Sequence, residues 1–338
     1  MISSDRISVV VQGPVVGGPQ EAPDKRLTDA CLTSVRQHLP KAEIVLSTWK
    51  GTDISNLDFD VLIESEDPGA LFFAGNAKLR NNVNRQIISS QNGLQATTRP
   101  YALKLRSDMI VRSTNFLSFF EKFGVRSDWS MLRSKVVAST LYSRIPGLLG
   151  QWPYHPGDWY FFGLKDDVLD IWDIPSAPEP ETTLWFVNQP RPRNDVDPTC
   201  MNRYTPEQYI WLTFLRKHMD VRCDYQWDLD AKAIEGTERT FASNLVLISP
   251  KQAGLSFEKY PTYTGFSTWL HGPGNCYDHR YWQYLYEKHC THTRSRVGWS
   301  AALRWAVATC GIFALHKYAA AQARLRRLNA LASKASLL

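Results

Sequence analysis

The stretch "YALKLRSDMIV" (101–111) sets two cations and a carboxylate into an apolar strand pattern. Side chains alternate between faces along an extended chain. Tyr101, Leu103, Leu105 and Ser107 therefore share one face, and Lys104, Arg106 and Asp108 share the other. Such a face suits a phosphorylated ligand, because Lys and Arg neutralise a pyrophosphate through charge-assisted hydrogen bonds. A carboxylate at the strand end can hold Mg²⁺ or Mn²⁺, which take oxygen ligands and often only one or two carboxylates beside phosphate oxygens. The competing reading is a structural Arg–Asp pair on a partly exposed strand.

A second polar group precedes it. "NAKLRNNVNRQIISSQNGLQ" (76–95) reads as a helix, with Asn81, Asn82, Asn84, Arg85 and Gln86 crowded together. Asn81 and Arg85 are four apart and point the same way on a helix. The cluster suits recognition of a polar ring or ribose, or is a solvated helix face. Gln12 and Gly13 open "QGPVVGG" (12–18), a Gly-rich turn that matches neither GxGxxG nor a Walker motif. "STWKG" (47–51) and the tight turn "EDPG" (66–69) complete the set.

The elements that must position these residues alternate. "ISVVVQGPV" (7–15) and "AEIVLSTWKG" (42–51) read as strands, with a helix over 27–40 between them and a further extended element at 60–69. With the helix at 76–95 and the strand from 101, the order is α/β, an open, largely parallel sheet with helices on its faces. Ligands bind outside the carboxyl ends of such strands, where "QGPVVGG", "STWKG", "EDPG" and "RSD" (106–108) all fall.

The second half is rich in aromatics and prolines, and reads as a less regular layer. A strand is expected at 158–163 and helices at 165–173 and 205–218. From about Arg294 the chain is basic and rich in Ala and Leu. It resembles an interfacial segment on an anionic membrane, or a helix packed on protein. Of the 338 residues, 43% are hydrophobic and 21% charged, as in a globular protein. The net charge of +6 lies largely in the tail, which argues against a nucleic-acid groove. Six scattered cysteines with no CxxC pair argue against a zinc site or a disulfide framework and fit a reducing cytosol. The N-terminus lacks the pattern of a signal peptide, so the expected location is cytoplasmic.

A helix with Asn and Arg, then a glycine turn, then a strand ending in Asp resembles nucleotide-sugar-dependent glycosyltransferases of the GT-A fold. There the strand ends in a D-x-D motif; here Arg106-Ser107-Asp108 takes its place. "VVVQGPV", "AEIVLSTWKG", "SEDPG", "NNVNRQIISSQNGL", "YALKLRSDMIV" and "DWYFFGLKDDV" together are similar to the WavE lipopolysaccharide core synthesis family, over roughly 5–290. The resemblance implies a GT-A-like, Rossmann-type domain over 1–293, with a nucleotide-sugar half (1–125), an acceptor half (126–293) and a tail (294–338). It implies a transferase that moves a sugar from a nucleotide-diphosphate donor to a lipid-linked saccharide, at the inner face of the cytoplasmic membrane. Donor-site candidates are Gln12, Gly13, Asn84, Arg85, Lys104, Arg106, Ser107 and Asp108. A divalent cation, Mn²⁺ or Mg²⁺, is the cofactor such a site would use, held by Asp108 and by His271, or alternatively His279, in "HGPGNCYDH" (271–279). The degenerate D-x-D puts that dependence in question, and Arg106 can replace part of the metal's charge.

In the acceptor half, Asp158 and Glu207 are candidates for the base that takes the hydroxyl proton. Asp158 precedes a strand and is otherwise a turn cap. Glu207 sits near a helix N-terminus, where a carboxylate keeps its charge. Trp152, Tyr154, Trp159 and Trp269 can stack on sugar rings or fill the core. Two other classes stay open: a non-catalytic nucleotide- or glycan-binding protein, and a nucleotidyltransferase, which would release pyrophosphate.

Overall fold

The structure is a computed structural model that describes residues 2–293, apart from 19, 23–24, 74–75, 148–151, 188, 190–196 and 258–274, together with Cys310. The strands are β1 (Ile7–Gln12), β2 (Glu43–Trp49), β3 (Val61–Ser65), β4 (Leu71–Phe73), β5 (Asn76–Asn81), β6 (Tyr101–Arg106), β7 (Met109–Val111), β8 (Val136–Ser139), β9 (Gly157–Leu164), β10 (Leu245–Ile248) and β11 (Leu255–Phe257). The helices are α1 (Leu27–His38), α2 (Val83–Gln95), α3 (Phe116–Lys122), α4 (Lys165–Trp172), α5 (Glu181–Leu184), α6 (Pro206–Arg216), α7 (Ala231–Asn244), α8 (Pro250–Ala253) and α9 (His279–Tyr286).

Seven strands form the central sheet in the order β3-β2-β1-β6-β9-β8-β10. Neighbours run parallel except at β9, which is antiparallel to both β6 and β8. β1 is buried along its whole length, as expected for a parallel strand covered on both faces. Its register aligns Gln12 with Ser47 of β2 and with Arg106 of β6, so β1 and β6 end at one level while β2 continues two residues further to Trp49. Helix α2 rests directly on that sheet. A side chain at Gly93 would put its Cβ 2.5 Å from Val10 Cγ1 and 2.9 Å from the Ser47 Cβ.

The alternation is realised over Tyr101–Arg106, but Ser107 and Asp108 fall in the turn that follows, and Ser107, expected on the opposite face, lines the same cavity as Arg106 and Asp108. The Tyr101 ring packs on Phe120 and Phe162 on one face. The Lys104 ammonium lies on the other, 4.3 Å from the ring centroid of Trp172 in α4. The helix expected over 76–95 begins at Val83 instead; residues 76–81 form β5, an antiparallel hairpin with β4. Asn81 ends that strand, its Oδ1 accepting from the Val83 N–H at 2.9 Å, so it does not share a helical face with Arg85. Asp158 lies inside β9 rather than ahead of it. The second half is not an added layer alone, because it supplies β8, β9 and β10 to the same sheet.

No disulfide joins any of the cysteines among the described residues. Among the described residues, no helix is long and apolar enough to cross a membrane. His271, Trp269 and the tail over 294–338, Cys310 excepted, lie outside the described residues.

Candidate active site

A cavity of about 400 Å³ opens at the carboxyl ends of β1, β2 and β6, bounded by α2 and the start of β9. Gln12, Gly13, Arg85, Lys104, Arg106, Ser107, Asp108 and Asp158 all line it. Of the eleven candidate positions these eight meet at the cavity, Glu207 and Asn84 do not line it, and His271 lies outside the described residues. Asn84 is turned elsewhere. Its amide accepts from the Ala177 N–H at 2.7 Å and donates to the Ala177 carbonyl at 3.2 Å. Asn84 clamps the loop after α4 and does not reach the cavity.

The floor is built by backbone. Gly13 turns β1 out of the sheet at φ +116°, a left-handed conformation that favours glycine. Its N–H donates to the Ser47 carbonyl at 3.0 Å, and the Ser107 N–H donates to the Gln12 carbonyl at 3.0 Å. The Ser107 hydroxyl donates to the Pro14 carbonyl at 2.6 Å, which ties the 106–108 turn to the glycine loop. Ser89 of α2 donates to Gln12 Oε1 at 2.6 Å.

The charged wall comes from β6. Arg106 grips Asp108 with two hydrogen bonds, Nε to Oδ1 at 2.9 Å and Nη2 to Oδ2 at 2.7 Å. Its guanidinium also lies 5.0 Å from the centroid of the Trp159 ring, a cation–π contact. Lys104 is fully buried and donates to the Asp158 carbonyl at 2.6 Å. Burial lowers its pKa to about 7, with Asp158 and Asp108 pulling the other way. Arg85 makes a second bidentate pair, with Asp67 at 2.7 and 2.6 Å.

The opposite wall carries Asp158. Its carboxylate is buried and receives no hydrogen bond from the described residues. Burial raises its pKa, the Glu207 charge raises it further, and Lys104 and Arg106 oppose the rise. Glu207 itself stands behind this wall and outside the cavity lining. It lies 3.6 Å from His155 Nε2, in the first turn of α6, which Thr205 and Gln208 close with a reciprocal capping box. The helix N-terminus was expected to keep Glu207 ionised, yet burial outweighs it and raises the pKa. His155 is pushed down to about 3, by burial first and then by Arg144, so it is neutral beside Glu207.

Several lining residues were not singled out. Trp49 and Asp67 follow from the strand-end turns already marked, and Ser89 follows from helical spacing, four residues beyond Arg85. Trp159 and Tyr154 are buried, Trp159 against Phe257 and Tyr142, so neither presents an open ring.

The residues fit a protein-held divalent cation poorly. Both oxygens of Asp108 are engaged by Arg106, and both of Asp67 by Arg85. Among the described residues, no three His, Cys, Asp or Glu side chains gather as a metal site.

Comparison with known proteins bears on identity at the family level. No curated protein sequence matches the chain. Among solved structures it is similar to HddC from Yersinia pseudotuberculosis complexed with GMP-PN (10% identity, 48% of this chain and 78% of that one, TM-score 0.26). It is also similar to a nucleoside-diphosphate-sugar pyrophosphorylase from Vibrio cholerae RC9 (12%, 75% and 96%, TM-score 0.34). A third is the inositol-1-phosphate CTP transferase from T. maritima (11%, 71% and 97%, TM-score 0.30). At TM-scores this low, the likeness says nothing of shared activity. The WavE lipopolysaccharide synthesis family matches residues 7–308, most of the chain and every residue that lines the cavity, and the protein belongs to that family.

Proposed function

We propose that the protein is a glycosyltransferase that moves a sugar from a nucleotide-diphosphate donor to a saccharide hydroxyl, in the synthesis of lipopolysaccharide or a related surface glycan. One observation carries the reading. The buried carboxylate of Asp158, free of hydrogen bonds from the described residues, faces the same cavity as Lys104 and the Arg106–Asp108 pair.

The chemistry follows from that opposition. The donor's diphosphate lies against Arg106 and Lys104, which stabilise the negative charge that grows on the leaving nucleoside diphosphate. The acceptor hydroxyl attacks the anomeric carbon as the bond from that carbon to the diphosphate oxygen breaks. Its proton passes to Asp158, whose raised pKa makes it a stronger base than an exposed aspartate. Glu207 tunes Asp158 through its charge. Gln12, Ser89 and the α2 residues Arg85 and Gln86 bound the part of the cavity left for the nucleoside. The acceptor is carried on lipid in this reading, and the basic composition of 294–338 favours an anionic membrane surface.

Thermal stabilisation by a panel of nucleoside diphosphates and their sugar esters tests the donor half. A rise in Tm confined to one base supports the reading and names the donor class. No rise with any nucleotide would oppose it.

A further inference from the structure

We infer that the cation serving the donor's diphosphate belongs to the protein: Arg106, clamped on Asp108, takes the place of a divalent ion, and donor binding needs no metal. This rests on the donor-site reading above.

Charge is the first ground. Two carboxylates holding a divalent ion are neutral together. Arg106 and Asp108 are neutral together with no ion present, because a guanidinium stands where the first carboxylate would be. An ion added at Asp108 would leave an excess of positive charge beside a guanidinium that is itself never deprotonated. Like charges that close repel strongly in a partly buried site.

Geometry is the second ground. Nε and Nη2 of Arg106 take one Asp108 oxygen each, at 2.9 and 2.7 Å. A metal would have to displace a bidentate, charge-assisted pair, among the stronger hydrogen bonds a protein makes. The layering also points one way. The Asp108 side chain is 5% exposed and the Arg106 side chain 25%, so the carboxylate lies beneath and the guanidinium lies nearer the cavity. The Trp159 ring, 5.0 Å from the Arg106 Cζ, holds that plane in place.

Among the described residues, the remaining carboxylates do not complete a metal site with Asp108. Asp67 is taken by Arg85 in the same bidentate manner. Asp158 is governed first by burial and then by the charge of Glu207, with Lys104 and Arg106 opposing. Lys104, donating to the Asp158 carbonyl from the cavity wall, supplies a second protein cation on the face that Arg106 shares.

Calorimetric titration of the full chain with UDP, GDP, CDP and ADP tests this, each in EDTA and again with millimolar Mn²⁺. The expected result is that one of the four binds with the same Kd, within about twofold, in both buffers. Arg106→Gln should weaken that binding by about ten- to a hundredfold, and Arg106→Lys by less, since charge stays and the fork is lost. If Arg106→Gln fails to fold because Asp108 is left unpaired, the neutral double variant Arg106→Gln/Asp108→Asn replaces it, with the same loss expected. Binding that appears only with Mn²⁺ would overturn the inference and leave the donor site standing, as would an Arg106 variant that binds like the wild type. Absence of binding in both buffers would remove the donor site, and this inference with it.

Discussion

The two walls of the cavity hold buried aspartates in opposite circumstances. Asp108, at the end of β6, has both oxygens tied to a guanidinium. Asp158, at the start of β9, has a carboxylate that no described residue hydrogen-bonds, and burial moves it toward its neutral form. A buried carboxylate gripped by Arg is fixed in charge and position. One left without donors, near a second buried carboxylate, is poised to exchange a proton. Under the proposed function, charge-holding falls to the parallel part of the sheet and proton transfer to β9, the strand that runs antiparallel to its neighbours.

The contrast breaks most sharply at Asp158. Asp158→Asn should reduce sugar transfer by about 10²- to 10⁴-fold, the usual contribution of a general base, while nucleoside diphosphate affinity stays within about twofold. Rates of nucleoside diphosphate release and calorimetric titration separate the two effects. Asp108→Ala should act in the other sense, weakening nucleotide binding by about ten- to a hundredfold and abolishing transfer in a chain that remains folded by circular dichroism. A normal rate in that variant would remove Asp108 from the site.

Acidity sharpens the comparison further. Lys104 has a folded pKa of about 7, well below its ordinary value, so it loses its proton above that pH unless an anion holds it. Affinity for the nucleoside diphosphate should therefore fall as pH rises above about 7, and Lys104→Met should flatten that fall. The transfer rate should rise with pH through the elevated pKa of Asp158, because only the ionised carboxylate accepts a proton. The same linkage has a stability side. Below about pH 7 the buried ammonium is charged and costs stability, and that cost disappears as pH climbs toward the ordinary lysine range. Lys104→Met should accordingly raise Tm most at acidic pH.

The smallest effects are on stability. Asn84→Ala should cost about 1–3 kcal/mol of stability in a urea titration, by leaving the Ala177 backbone unpaired, with nucleotide affinity unchanged. Arg85→Ala, at a half-exposed pair with Asp67, should cost less than about 1 kcal/mol of stability by the same titration.

The β6 side of the site was legible in the sequence because strand alternation is local. Lys104 and Arg106 share a face in any extended chain, Asp108 follows in the turn that closes the strand, and the register of β1 with β6 brings Gln12 and Gly13 to them. The start of α2 was misread for the converse reason. Residues 76–81 look helical in isolation, with an amide-rich segment after them, but they pair with β4, and that pairing is tertiary. The same limit hid Asn84's role, since Ala177 lies 93 residues away. The three strands of the second half are short apolar runs, and only their neighbours in the sheet decide that they join it. The opposite states of Asp108 and Asp158 were likewise beyond the sequence, because burial and an absent hydrogen-bond donor are properties of the folded surroundings.

The most direct measurement is transfer itself. The full chain is incubated with sugar nucleotides labelled in the sugar and with a lipopolysaccharide-derived saccharide, and both products are identified. The expected result is label in the saccharide with release of nucleoside diphosphate, both lost in Asp158→Asn. Release of pyrophosphate, or transfer that survives Asp158→Asn intact, would contradict the account.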